Sequence, residues 1–239
     1  GDVGCFSFFP TKNLGAAGDG GAVTTSDAQL AQAMRELAVH GMPERYLHTS
    51  LGYNSRLDAI QAAVLNVKLP RLETWINKRT AIAERYRDAL GDLNGLTLPT
   101  ADDGHSWNQF VVRIGSCPSG QPLCNASCTP SNTSARHGIP ESCCRDWVKQ
   151  TLQERGVSTI IYYPIPIHRQ PAYAHLGLQQ GSLPVTEQLC SQVLSLPIFP
   201  ELSGQQQETV IDTVRQLLAP KVPAQFRRSD EGDQDRMVA

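Results

Sequence analysis

S-F-F-P-T-K-N-L-G-A-A-G-D-G-G-A-V-T-T, Ser7 to Thr25, decides the reading of this chain. Lys12 lies between an aromatic, Pro-containing segment and a Gly-rich turn. The turn feeds a β-branched run, which predicts a short strand over Ala22 to Thr25. Lys12 is therefore expected on a loop at a strand edge, where a buried amine can be presented to a ligand. The ordinary alternative is a solvated surface lysine. A desolvated lysine loses its proton more readily and can form a Schiff base with an aldehyde. Pyridoxal phosphate (PLP) is the commonest such partner. Asp19, Gly20 and Gly21 read as scaffold, because glycine and aspartate shape tight turns.

Downstream of this stretch the pattern is mostly helical. Ser26 and Gln29 have capping-box spacing, and Leu30, Met34 and Leu37 follow at helical intervals until Gly41, Met42 and Pro43. Ser55 and Asp58 mark a second start, with Leu57, Ile60, Val64 and Val67 as one apolar stripe. Pro70 breaks or kinks that helix. Another pattern then places Leu72, Trp75, Ile76, Ile82, Tyr86 and Leu90 on a buried side. Asn108 to Ile114 reads as a strand, Cys144 to Gly156 as a helix, and Val157 to Tyr163 as a β-rich run. Pro184 to Leu194 and Gln205 to Leu218 are two further helical patterns. No internal repeat is visible.

The chain has 239 residues, a net charge of −2 and seven cysteines. That charge gives no electrostatic footprint for nucleic acid. No apolar run approaches a membrane span, and no signal-peptide pattern is visible. Cys117, Cys124, Cys128, Cys143 and Cys144 crowd one segment, 115–144, which is rich in Ser, Pro, Asn and Thr and reads as an inserted loop. It lacks a C-x-x-C pair, so a surface loop is expected over a metal site. Asn125 and Asn132 begin glycosylation-type triplets of the kind that arise by chance in such loops. Reduced thiols in a cytoplasmic setting fit the rest of the chain. The charged tail, 221–239, is expected to be disordered.

Four blocks, taken in order, resemble one family. They are the Lys12 stretch with R-E-L-A-V-H-G (Arg35 to Gly41), G-Y-N-S-R-L-D-A-I-Q-A-A (Gly52 to Ala63), Y-Y-P-I-P-I-H (Tyr162 to His168) and L-S-L-P-I-F-P (Leu194 to Pro200). The chain is similar through these to the DegT/StrS-type PLP-dependent sugar aminotransferases, of the aspartate-aminotransferase fold. The resemblance implies an α/β chain, the C-terminal portion of a fold type I PLP-dependent transferase. Residues 1–72 would be the remainder of the large PLP-binding domain and 73–220 a small α+β domain. Members carry a long region before the lysine, with a first phosphate turn, a ring-stacking aromatic and a pyridinium-pairing aspartate. An N-terminally truncated chain is therefore expected, one that alone aggregates or binds PLP poorly.

The resemblance also implies roles. Lys12 would hold PLP and move the proton during transamination; dehydratase relatives carry histidine there, so Lys12 argues for transamination. Ser7 would bind the cofactor phosphate, its alternative being a strand-end turn former. Asn54 would touch the phosphate of a neighbouring subunit's PLP, its alternative being an N-cap or Asx turn. Arg56 would meet the substrate diphosphate or a sugar carboxylate, or be a first-turn surface arginine. Tyr162, Tyr163 and His168 would face the nucleotide-sugar. Relatives often have histidine at the position of Tyr162, so its substrate role is open. The expected activity is amino transfer from glutamate or glutamine to a nucleotide-linked keto-sugar, with S-R-L-D favouring a 3-keto sugar. The pathway would be surface polysaccharide or secondary-metabolite biosynthesis, and the active form a homodimer with shared sites. The alternative is a non-catalytic PLP- or sugar-binding regulator, or an inactive fragment.

Overall fold

The computed structural model describes residues 1–115 and 143–218. Most of the Cys-rich segment and the whole charged tail lie outside them. The chain divides into two units. One comprises Gly1–Glu84, Ala101–Asn108 and Ile198–Glu201; the other comprises Arg85–Thr100, Gln109–Pro197 and the chain from Leu202 onward.

The first unit begins with a two-stranded antiparallel ribbon of β1 (Gly4–Ser7) and β2 (Gly21–Thr24), in the register Ser7↔Gly21 and Gly4↔Thr24. Helix α1 (Ala28–Ala38) follows. Its N-cap is Asp27 rather than the expected Ser26, because the Asp27 carboxylate reaches the amides of both Gln29 and Leu30. Helix α2 (Ala59–Lys68) is capped by Asp58, which accepts from the Gln61 amide. The expected apolar stripe is not a buried face. Ile60 is 74% and Val67 71% exposed, and the residue α2 buries is Leu65. Pro70 sits in a 3₁₀ turn (Leu69–Arg71) that joins α2 to α3 (Leu72–Leu90).

Arg79 on α3 explains why this unit gathers distant segments. Its guanidinium is buried and donates to the carbonyls of Trp107 (3.1 Å), Asn108 (3.4 Å) and Ile198 (2.9 Å). Burial pulls its pKa down, and Glu201 opposes that pull.

The second unit is built on a three-stranded antiparallel sheet, ordered β3 (Leu96–Thr97), β4 (Phe110–Ile114), β5 (Val193–Leu196). Alternate β4 residues Phe110, Val112 and Ile114 are buried, as a half-covered strand requires. They join Tyr86, Leu90, Val148, Leu152, Leu194 and Val214 in one core. Helices α4 (Cys143–Glu154), α5 (Pro184–Gln192) and α6 (Gly204–Leu218) complete it. The Tyr86 ring lies 5.1 Å from that of Phe110, and its hydroxyl donates to the Pro197 carbonyl at 2.9 Å. Burial pushes its phenol pKa well up.

Two sequence expectations change here. The run from Val157 to Tyr163 forms no strand; Ile160 exchanges hydrogen bonds with Ser195 as a single bridge. Pro164 and Pro166, which lack amide donors, follow at once. The helical pattern from Pro184 stops at Gln192, and its last residues enter β5.

Candidate functional site

Lys12 stands on a closed loop between β1 and β2. The Phe8 amide continues the ladder to the Gly20 carbonyl (2.8 Å), the Lys12 amide turns back to Phe9 (2.9 Å), and the Ala16 amide closes onto Phe8 (2.8 Å). Gly15 has to be glycine, because a Cβ there would lie 2.4 Å from the Pro10 carbonyl oxygen. Three side chains hold the loop from outside. Asn13 Nδ2 donates to the Ser106 carbonyl (2.7 Å), Gln61 Oε1 accepts from the Ala17 amide (2.8 Å), and Lys68 Nζ donates to the Gly15 carbonyl. The Lys12 side chain is exposed where a buried amine is expected. Its amine has no hydrogen-bond or ion-pair partner among the described residues.

Ser7 ends β1, and its hydroxyl oxygen accepts from the Phe9 amide at 3.4 Å. It is a strand-end turn former in this respect, and its own proton stays available to donate.

Asn54 is set by the chain that follows α1. The Tyr53 and Ser55 amides donate to the carbonyls of Leu37 (2.7 Å) and Ala38 (2.9 Å), and Asn54 bridges Val39. Gly41, at φ +68°, and Gly52 permit this: a Cβ on Gly52 would lie 2.2 Å from the Gly41 nitrogen. Asn54 Oδ1 accepts from Arg56 Nε at 3.1 Å, which leaves the Asn54 amide N–H groups free to donate. The capping role goes to Asp58, so Asn54 is not an N-cap. Asn54 and Arg56 share the wall of an open cleft of about 920 Å³ with Asp19, Gly21 and Arg35. Ser7 and Lys12 do not line that cleft.

In the other unit, His168 sits in the 3₁₀ turn Ile167–Arg169 and is buried. Its Nε2 lies 3.0 Å from Glu187 Oε1. The two Glu187 oxygens also accept from the Gly181 amide at 2.9 and 2.8 Å. The Gly181 amide and then His168 hold the Glu187 carboxyl below its usual range. Tyr162 is half-buried, Tyr163 is exposed, and their rings meet edge-on at 5.4 Å.

Sequence reasoning missed Asn13, Gln61, Lys68 and Glu187. For Gln61 and Lys68 a signal existed: they lie about two helical turns apart, hence on one face of α2. Among the described residues no cluster of His, Cys, Asp and Glu could hold a metal, and no helix is long and apolar enough to cross a membrane.

The model of the DegT/DnrJ/EryC1/StrS aminotransferase family matches residues 1–215. A "pleiotropic regulatory protein" of Geobacillus stearothermophilus is 40% identical over 220 residues, 90% of this chain and 51% of its own. A UDP-N-acetyl-3-dehydro-alpha-D-glucosamine 3-aminotransferase of Acidithiobacillus ferrooxidans is 40% identical over 220 residues, 91% of this chain and 51% of its own. The crystal structure of Streptomyces venezuelae DesV in complex with a ketimine intermediate superposes with a TM-score of 0.77 at 40% identity, over 93% of this chain and 53% of that one. The chain thus spans about half the length of the relatives it matches. It shares the mixed α/β fold of PLP-dependent aminotransferases over that half, and with a family model covering residues 1–215 it belongs to the DegT/DnrJ/EryC1/StrS aminotransferase family.

Proposed function

We propose that this chain carries the lysine and part of the phosphate-binding shell of a PLP-dependent aminotransferase. The reaction is amino transfer from glutamate or glutamine to a nucleotide-linked keto-sugar, with the 3-keto position favoured. The observation that carries this is an amine without a partner, Lys12, on a closed loop held from three sides. The 3-aminotransferase named among the relatives supports the position.

The donor chemistry fits a phosphorylated aldehyde. Lys12 offers a primary amine, Ser7 a hydroxyl proton and Asn54 two amide protons, none of which is engaged elsewhere among the described residues. When bound, PLP supplies an electron sink that lets an amino group pass between donor and acceptor. Lys12 would hold the cofactor through Nζ, and its amine, once freed, would hold and return the proton that moves. Ser7 donates to the phosphate. Asn54 donates to the phosphate of a second subunit's cofactor, which makes the active form a homodimer. Arg56, tethered to Asn54, would meet the substrate diphosphate or a sugar carboxylate. Tyr162, Tyr163 and His168 take the nucleotide-sugar. Residues 1–72 belong in this reading to the cofactor domain and 73–220 to the smaller domain, in a cytoplasmic enzyme.

The regulatory name of one relative favours a second reading, a non-catalytic PLP- or sugar-binding protein. Turnover separates the two. In the aminotransferase, PLP-loaded protein absorbs near the edge of the visible and converts nucleotide keto-sugars to amino-sugars. Lys12→Ala abolishes both the band and the turnover. A Lys12→Ala protein that still turns over removes Lys12 from the chemistry. A band without turnover moves the protein to the regulatory class.

A further inference from the structure

The ribbon holds the ends of the Lys12 loop, through Ser7↔Gly21 and the Phe8 amide. Its far side is held by α2. The Ala17 amide finds its acceptor in Gln61 Oε1, and the Gly15 carbonyl takes the Lys68 ammonium. Gln61 is fitted closely: a Cβ on Gly18 would lie 3.2 Å from its Nε2, so the amide runs along bare backbone. The Gln61 backbone is fixed as well, since its amide is the one that Asp58 caps. Lys68 lies 5.9 Å from the centroid of the Trp75 ring. The Lys12 amine has no side-chain partner of its own among the described residues, so its place is set by this backbone.

We propose that Gln61 and Lys68 are positioning residues for Lys12: from one face of α2 they hold the loop that carries the amine. The same helix follows directly on Asn54 and Arg56. The loop that carries the amine is thereby held from a helix, as a preorganised site requires, while the Asn54 segment is held separately by the end of α1. The proposal rests on the cofactor reading of Lys12 given above.

The test uses the full chain. Amide exchange is read residue by residue, and PLP attachment to Lys12 is followed by borohydride reduction and peptide mass spectrometry. In the unsubstituted chain the Ala17 amide is protected relative to an unbonded loop amide. Gln61→Leu speeds its exchange about fivefold or more, the loss of one hydrogen bond, while the α2 amides are unchanged. PLP attachment slows by a similar factor. Gln61→Glu, which keeps an acceptor, restores both. Lys68→Met gives an independent arm with slower attachment, should Gln61→Leu not fold. Ala17 exchange that is unprotected at the start, or unmoved by Gln61→Leu, overturns the proposal. Faster exchange with unchanged attachment also overturns it, because Gln61 is then only a structural brace. If the unsubstituted chain takes up no PLP at Lys12, the attachment arm is silent, and Ala17 exchange alone decides whether the clamp exists.

Discussion

Glu187 serves two clients with one carboxylate. It accepts twice from the Gly181 amide and faces His168 Nε2. An ionised carboxylate only accepts, so the proton between Glu187 and His168 belongs to Nε2, and Nδ1 is the nitrogen left with a lone pair when the ring is neutral. The sign of the pH effect follows. The folded carboxyl is held below its ordinary range, chiefly by Gly181. Its contribution is therefore complete above the ordinary carboxylate pKa and is lost as pH falls through the lower folded value. Acid titration followed by the Gly181 amide resonance should show one transition below the ordinary glutamate range. Glu187→Gln should remove it, and an identical transition in that variant would assign the effect elsewhere.

At the scale of elements, α1 shows how much a cap decides. The helix buries no residue, so packing holds it weakly. Asp27 satisfies two of its orphan amides, and Thr25 Oγ1 in turn accepts from the Asp27 amide. Asp27→Ala should cost about 1 kcal/mol in urea unfolding, whereas Ser26→Ala should stay within about 0.5 kcal/mol. The reverse order would restore the capping box that the sequence suggests. Ser26 and Asp27 differ by one residue, and side-chain reach, which periodicity does not encode, separates them. Helices were legible here because a 3.6-residue period is local: Ile82, Tyr86 and Leu90 fall on the buried side of α3 as their spacing predicts. Strands were less legible. β5 pairs with β4 across a long stretch of chain, so Val193 and Leu194 read as the end of a helix. The 157–163 run had β-branched residues but no partner beyond one bridge. The site divides in the same way. The loop that carries Lys12 was readable from its local frame, while Asn13, Gln61 and Lys68 act on backbone far away in sequence.

At the scale of the whole molecule, the stripe Leu57, Ile60, Val64 and Val67 poses the larger question. Its period is helical, yet Ile60 and Val67 face outward, and Leu51 and Tyr53 just before them are exposed too. Periodicity names the residues that share a face; it does not say what covers the face. A run of exposed large apolar groups within 51–67 exceeds the scattered hydrophobics normal for a monomer surface. Asn54 lies inside that run, so a second copy seated there would share the segment proposed to bind its phosphate. The prediction is concentration-dependent self-association in sedimentation velocity, shifted to monomer by Ile60→Asp with Val67→Asp. Both side chains are exposed, so each substitution alone should change folding stability by only about 0.5 kcal/mol. Loss of association with an unchanged circular dichroism spectrum would locate the contact on α2. Unchanged sedimentation would detach the dimer from this helix, and with it the shared-site role of Asn54, while leaving Lys12 and its loop untouched.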